Sequence, residues 1–187
     1  MWCSNFGIPY GRGELAIAQQ VKAETGSSKS IAELAAEVGQ MITAWKTTTY
    51  PQAWKYLCEC QQKVYNPGYI VNPWGRMRRF PGVKEKRADL ERQAGNFNIQ
   101  STVADTAMIA MDLIDRYRLE HGLHFKIQNQ IHDALMLEVP HAEIEECREM
   151  LKNTMGNIKI PVGGKLGTLV LGIDIDVYTR WGEKAKE

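Results

Sequence analysis

An aspartate at a predicted hairpin turn is the residue best suited to metal-assisted chemistry. Apolar and polar residues alternate over residues 125–131 and again over 135–139, which is the periodicity of β-strands. His132 and Asp133 separate the two predicted strands, so the carboxylate is rigidly mounted at a hairpin tip. Rigid oxygen ligands suit Mg²⁺, which demands near-octahedral geometry. Aspartate is also favoured in turns because it bonds nearby backbone, so a purely structural role is the alternative.

A second set of polar residues is spaced for one face of a helix. Arg92, Asn96 and Gln100 are four residues apart, so their side chains share one stripe. Such a stripe is able to contact duplex phosphates and the minor-groove acceptors that every base pair presents. Between residues 63 and 92 there are eight Lys/Arg against three Asp/Glu, compatible with a cationic groove. A solvated charged face is the alternative interpretation.

The elements that must position these residues alternate between helical and strand-like segments. Helices are predicted over residues 13–24, 30–45, 51–65, 88–121 with an interruption near Gly95, and 141–155. The second of them starts with a capping box of Ser30 and Glu33. Strands are predicted over residues 69–71, 76–80, 125–131, 135–139 and 169–178. This order predicts an α+β fold with an antiparallel sheet and a helical lobe.

The bulk composition is that of a globular protein. The chain has 187 residues, of which 44% are hydrophobic and 24% charged. No apolar run approaches the roughly 20 residues that span a bilayer, and the N-terminus lacks the pattern of a signal peptide. Its four cysteines lack the spacing of a metal site and are expected to be reduced thiols. We therefore expect a cytoplasmic protein with no membrane partner.

Four segments, in order along the chain, resemble motifs of DNA polymerase I-like (family A) enzymes. Residues 5–11 (NFGIPYG) resemble motif B of the fingers, and Gly68-Tyr69 with Gly75-Arg76 resemble the hairpin that follows it. Residues 91–105 (ERQAGNFNIQSTVAD) resemble the helix that leads into the palm. Residues 130–133 (QIHD) resemble the motif C hairpin. The four segments occur in the family's order with plausible gaps, and the resemblance covers nearly the whole chain.

The resemblance implies a two-metal mechanism of nucleotidyl transfer. In the family, one aspartate from motif A and one from motif C hold two Mg²⁺ ions, which stabilise the attacking 3′-hydroxyl and the leaving pyrophosphate. Asp133 matches the motif C aspartate, and His132 matches a residue near the primer terminus. By the same resemblance, three residues are expected to contact the incoming dNTP and four the primer-template DNA: Phe6, Tyr10 and Gly11; Arg76, Arg92, Asn96 and Gln100.

The sequence departs from the family pattern at several positions. Trp2 stands where a triphosphate-binding lysine is expected, and Ala134 where a second acidic residue would follow Asp133. Pro9 falls inside the motif B helix, where proline kinks a helix unless it lies in the first turn. Motif A and its aspartate should lie upstream of motif B, and this sequence does not contain them. We therefore expect the chain to be inactive alone.

These observations lead to a specific set of expectations. Residues 1–66 are expected to form part of the fingers and residues 67–187 the palm. The predicted function is that of a C-terminal subunit of a split, phage-type DNA-directed DNA polymerase with an N-terminal partner that carries motif A. The alternatives are a non-catalytic DNA-binding remnant and a piece of a larger polymerase. Exposed sheet edges also predict a homo-oligomer when the chain is isolated.

Overall fold

Helices and short antiparallel strands alternate along the chain. The computed structural model describes residues 7–9, 11–82, 87–180 and 183–184, and these contain five α-helices and eight strands. The helices are α1 Glu14–Thr25, α2 Ile31–Ala44, α3 Pro51–Gln62, α4 Arg87–His121 and α5 Ile144–Asn153. The strands are β1 Tyr69–Val71, β2 Met77–Arg79, β3 Lys126–Ile131, β4 Ala134–Glu138, β5 Ile160–Gly163, β6 Gly167–Leu169, β7 Tyr178–Arg180 and β8 Glu183–Lys184. They pair as four two-stranded antiparallel sheets, β1 with β2, β3 with β4, β5 with β6 and β7 with β8.

The chain divides into two compact units, Met1–Gln100 and Ser101–Glu187. The predicted α+β class, with antiparallel strands and long helices, is confirmed. None of the helices in the described part of the chain is long and apolar enough to cross a membrane.

The predicted capping box starts helix α2. The Ser30 hydroxyl accepts a hydrogen bond from the Glu33 backbone N–H at 3.2 Å, and the Ser30 N–H donates to the Glu33 carboxylate at 2.8 Å. Two of the unpaired donors at the helix start are thereby satisfied. The other end of α2 runs into one π-helical turn, Trp45–Thr49, before Pro51 opens α3. The helix predicted over residues 30–45 is therefore confirmed, but the sequence pattern did not predict the π-helical turn that follows it.

The core of the first unit has two parts. One is built from α1, α2, the π-helical turn and α3, around Ile17, Leu34 and Leu57. The other joins α3 and the β1–β2 hairpin to α4, with Cys60, Val64, Ile70, Phe80 and Ala94 fully or almost fully buried. Because both parts include α3, this helix fixes the hairpin and α4 relative to the helices around α1.

Helix α4 runs without a break from Arg87 to His121, so the predicted interruption near Gly95 was wrong. Gly95 is buried, and a β-carbon built on it would lie 3.3 Å from Leu57 Cδ2. The glycine therefore permits the close packing of α3 on α4 and does not end the helix. Further along, Ala107, Ala110 and Ile114 are buried along α4.

The predicted β3–β4 hairpin is confirmed, and the predicted helix after it is shorter than expected. His141–Glu143 and Met155–Asn157 are single 3₁₀ turns on either side of α5. The predicted last strand, residues 169–178, is wrong between its two ends. Leu169 belongs to β6 and Tyr178 to β7, but residues 170–177 pair with no strand among the described residues. Ile173, Ile175 and Val177 are half-buried and alternate with exposed residues. Periodicity reports alternating burial, whereas a strand also needs a neighbour to bond.

Candidate functional site

Asp133 occupies the two-residue turn between β3 and β4. Ile131 and Ala134 form the last pair of the ladder, so His132 and Asp133 close the turn. His132 adopts a left-handed backbone conformation with φ of 55°, which is uncommon for a residue with a side chain. The Gln130 side-chain amide donates to the His132 carbonyl at 3.3 Å and helps to hold it. Both turn residues are exposed, so the Asp133 carboxylate is presented to solvent on a fixed backbone.

The described residues offer one carboxylate for a divalent cation at this turn. Ala134 next to Asp133 has no ligand atom in its side chain. Nowhere among residues 7–9, 11–82, 87–180 and 183–184 do three or more His, Cys, Asp or Glu side chains gather as a cation site. Mg²⁺ is commonly held by one or two carboxylates together with waters and substrate phosphates. Asp133 therefore fits as one ligand of such an ion, and a second carboxylate has to be supplied to complete a two-metal site.

The base of the hairpin is held by two hydrogen bonds between His124 and Glu143 that sequence reasoning missed. The His124 backbone N–H donates to Glu143 Oε2 at 2.9 Å, and its ring Nδ1 lies 2.8 Å from Oε1 of the same carboxylate. The hydrogen bonds from His124 hold the pKa of the Glu143 carboxyl below its ordinary value. Phe125 beside them is 1% exposed and anchors the start of β3. The two partners are 19 residues apart, so no local pattern could have indicated the pair.

Gly11 and Arg92, both predicted site residues, lie against each other in the first unit. Gly11 has φ of +76°, and a β-carbon on it would lie 3.0 Å from both Cγ and Cδ of Arg92. Any larger residue would therefore be strained and would push the arginine side chain away. The Gly11 N–H donates to the Ile8 carbonyl at 3.0 Å, which closes the turn. Phe6 and Tyr10, predicted to bind the nucleotide, lie outside the described residues.

The predicted polar stripe lies on α4. Arg92 is ion-paired with Asp89 one turn earlier, and its side chain is half exposed. Asn96 is half-buried and Gln100 is exposed, at the expected four-residue spacing along one continuous helix. The stripe is therefore accessible to a ligand over two turns.

A cavity of about 410 Å³ adjoins the start of the stripe. Gly11 and Arg92 line it together with Lys46 of the π-helical turn and Trp54 of α3. The Lys46 ammonium lies 4.1 Å from the centre of the Trp54 ring, within cation–π range. Lys46 and Trp54 were not singled out from the sequence, because the π-helical turn that places the lysine has no signal in the hydrophobic periodicity.

Arg76 lies in the loop of the β1–β2 hairpin, which the buried Asn72 holds. The Asn72 side-chain oxygen accepts the backbone N–H groups of Trp74 at 3.0 Å and of Arg76 at 2.9 Å. The Asn72 N–H donates back to the Arg76 carbonyl at 3.0 Å. The predicted DNA-contacting arginine therefore projects from an ordered loop, and its residue is exposed.

The sequence pattern of DNA polymerase family A matches residues 3–183. The chain belongs to DNA polymerase family A. It is 26% identical over 81% of its length to DNA polymerase I of Streptococcus pneumoniae, and 29% identical over 96% to that of Treponema pallidum. It is also 27% identical over 92% of its length to DNA polymerase I B, chloroplastic/mitochondrial, of Arabidopsis thaliana. The family resemblance inferred from the four motifs is thus confirmed.

The fold is similar to that of a solved polymerase domain. The chain superposes on the POL domain of Pol1 from M. smegmatis, in complex with DNA primer-template and dNTP, with a TM-score of 0.68 and 27% identity. The match covers 82% of this chain and 26% of that one. Against the three curated relatives, the chain spans 15–17% of their length. The family A chain therefore corresponds to a small part of each relative.

Proposed function

We propose that this family A chain supplies the motif C part of a DNA-directed DNA polymerase and works with a second polypeptide that carries motif A. The observation that supports it is Asp133, an exposed carboxylate on a fixed His-Asp turn, in a chain that matches the family over residues 3–183. One carboxylate is insufficient for two-metal chemistry. The partner would supply the other aspartate.

In this proposal, each described site residue has a role that suits its chemistry. Asp133 would ligate Mg²⁺, and two such ions would stabilise the attacking and leaving oxygens of the phosphoryl transfer. His132 would lie near the primer terminus and set the backbone of the turn. Arg76, Arg92, Asn96 and Gln100 would contact the primer-template DNA, since cations and amides bind phosphates and minor-groove acceptors.

The remaining assignments belong to the same proposal. Phe6, Tyr10 and Gly11 would contact the incoming dNTP. Residues 1–66 would be part of the fingers and residues 67–187 the palm.

The experiment is Mg²⁺-dependent primer extension by the chain alone and mixed with a polypeptide that carries motif A. Asp133→Asn is the diagnostic variant, because the side chain is exposed and its loss leaves the core intact. Asp174→Asn, another exposed aspartate of the second unit, is the matched control. We expect extension in the mixture with the wild type and with Asp174→Asn, and none with Asp133→Asn.

A non-catalytic DNA-binding role is the second candidate, favoured by Ala134 beside the single carboxylate. It predicts salt-dependent duplex binding that Asp133→Asn leaves unchanged and no extension in any mixture. Extension that survives Asp133→Asn would contradict the catalytic proposal directly, since the motif C carboxylate would then be dispensable.

A further inference from the structure

The β1–β2 hairpin has one face packed in the core and one face turned outward. Tyr69 pairs with Arg79, and Val71 with Met77. Because successive residues point to opposite faces of a strand, these four side chains share one face. Ile70, on the other face, is 1% exposed in the core with Phe80 and Ala94. Tyr69, Val71, Met77 and Arg79 together form what we call the outer hairpin face.

The outer hairpin face combines exposed aromatic, apolar and cationic groups. Tyr69 and Val71 are each 38% exposed and Met77 is 48% exposed, beside the exposed Arg79. Adjacent exposed apolar side chains on one face indicate a contact surface more strongly than scattered ones. No Asp or Glu occurs between Asn66 and Val83, whereas three arginines fall within residues 76–79. The surface is therefore complementary to an anionic partner.

The two neighbouring arginines of β2 differ in what they contact. Arg78 lies across α4, where it hydrogen-bonds Gln93 and stands 5.9 Å from the centre of the Phe97 ring. The Arg79 side chain makes no hydrogen bond or ion pair with any residue that the structure describes. Arg78 is thus committed to holding the hairpin on α4, and Arg79 is available for a ligand.

The hairpin is preorganised for binding. Asn72 closes the loop with two side-chain and two backbone hydrogen bonds, and Gly75 takes the left-handed conformation that the turn needs, with φ of +90°. Cross-strand neighbours such as Tyr69 and Arg79 have β-carbons about 5 Å apart. A ring and a guanidinium at that distance, on a fixed backbone, bind with little further loss of conformational entropy.

We propose that the outer hairpin face binds single-stranded DNA, with a base stacked on Tyr69 and a backbone phosphate on Arg79. Base stacking on aromatic side chains beside cations is how proteins hold single strands without sequence preference. A duplex hides its base faces, so the exposed ring selects for unpaired nucleotides. Val71 and Met77 provide an apolar surface for the neighbouring base. The inference extends the proposed function, in which the template strand ahead of the primer is unpaired.

The test uses the full chain and a fluorescein-labelled oligothymidylate of about twelve nucleotides, within the site sizes of single-strand binders. Fluorescence anisotropy gives Kd at several salt concentrations. Tyr69→Leu keeps an apolar side chain but removes the ring, and Tyr69→Phe keeps the ring. Tyr178→Leu, at an exposed tyrosine of β7 in the second unit, is the matched control. Thermal melting of each variant checks that the fold is intact.

We expect Tyr69→Leu to raise Kd about 5- to 100-fold, which is the range for one lost base–aromatic stack. Tyr69→Phe and Tyr178→Leu should each bind within about twofold of the wild type, because the stacking ring at position 69 is unchanged in both. Arg79→Gln should reduce the slope of log K against log salt by about 0.7, the value for one phosphate contact on a single strand.

Two results would overturn the inference. Either Tyr69→Leu binds as tightly as the wild type, or a blunt duplex binds as well as the oligothymidylate and responds equally to the substitution. A surface that serves an acidic protein partner would give the first result. Both results come from binding measurements that do not depend on catalysis. The inference can therefore fail while Asp133-dependent primer extension by the mixture is observed, and it can hold while no extension is observed.

Discussion

Gly11 provides a direct test of the proposed link between the motif B segment and the polar stripe of α4. Replacing it by alanine adds a β-carbon at φ of +76° and 3.0 Å from two methylene carbons of Arg92. The left-handed backbone costs an L-residue about 1–2 kcal/mol. The Arg92 side chain is half exposed and is able to rotate away, which breaks its ion pair with Asp89. Because such exposed pairs contribute less than about 1 kcal/mol, the backbone cost dominates.

Two other glycines separate these contributions. Gly26 has φ of +64° with no atom near the position of a β-carbon, so Gly26→Ala measures the left-handed cost alone. Gly13 has φ of −77° and open space, so Gly13→Ala should be close to neutral. We expect the free energy of unfolding to fall by about 1–2 kcal/mol in Gly26→Ala and by the same or slightly more in Gly11→Ala. Chemical denaturation monitored by circular dichroism measures all three.

Of the three glycine substitutions, only Gly11→Ala should change the affinity for duplex DNA. Under the proposed function Arg92 contacts DNA, so its displacement would remove a charged hydrogen bond worth about 1.5–3 kcal/mol, and duplex affinity should fall roughly 10- to 100-fold. Arg92→Gln should produce a similar loss, while Gly26→Ala and Gly13→Ala should bind duplex like the wild type. If Gly11→Ala loses stability but keeps full duplex affinity, the contact between the turn and Arg92 has no role in DNA binding and the reasoning is refuted.

Three further outcomes are expected. The hydrogen bonds from His124 lower the pKa of Glu143 in the folded state, so they stabilise the fold at pH values above the pKa of Glu143 in the unfolded state. This stabilisation is lost as the pH falls through the pKa in the folded state. The decrease in the free energy of unfolding below about pH 4.5 should therefore be smaller in Glu143→Gln than in the wild type, but unchanged in Glu145→Gln. Burial raises the pKa of Tyr56 to about 12, so Tyr56→Phe should remove one late-titrating tyrosine from the absorbance titration. Tyr56→Phe should also lower the free energy of unfolding by about 1–3 kcal/mol, because the Asn98 side-chain amide donates a hydrogen bond to the Tyr56 hydroxyl at 2.9 Å and would lose this acceptor. Ser30→Ala should lower helix content and the unfolding midpoint, whereas Ser28→Ala, outside the capping box, should change neither.

Local rules predicted much of the fold. The capping box of Ser30 and Glu33, the two hairpins and the long helix to His121 all follow from patterns shorter than one element, and the structure has them close to the predicted bounds. The turn that carries Asp133 was predicted for the same reason, since alternation on both sides leaves only His132, Asp133 and Ala134 between the predicted strands.

Features that depend on packing between distant segments were missed. Gly95 was interpreted as a helix breaker, but its lack of a side chain serves the contact with Leu57 on α3. The pair of His124 and Glu143 joins residues that no local pattern relates. The π-helical turn that brings Lys46 over Trp54 follows directly after α2 without altering the hydrophobic pattern. The first two features are determined by a neighbour that is far away in the sequence.

The structural and the functional interpretation of Asp133 also differ in whether local backbone chemistry alone explains the turn. A turn aspartate between two strands is explained by local backbone chemistry alone, and its geometry here would serve a purely structural role equally well. The left-handed His132 adds strain that a simple turn would avoid with glycine or asparagine at that position. Histidine at this position has a stability cost without a local benefit, whereas under the proposed function a place near the primer terminus would give it a chemical role. His132→Gly should therefore stabilise the hairpin, and under the proposed function it should lower primer extension while the Asp133 carboxylate remains in place.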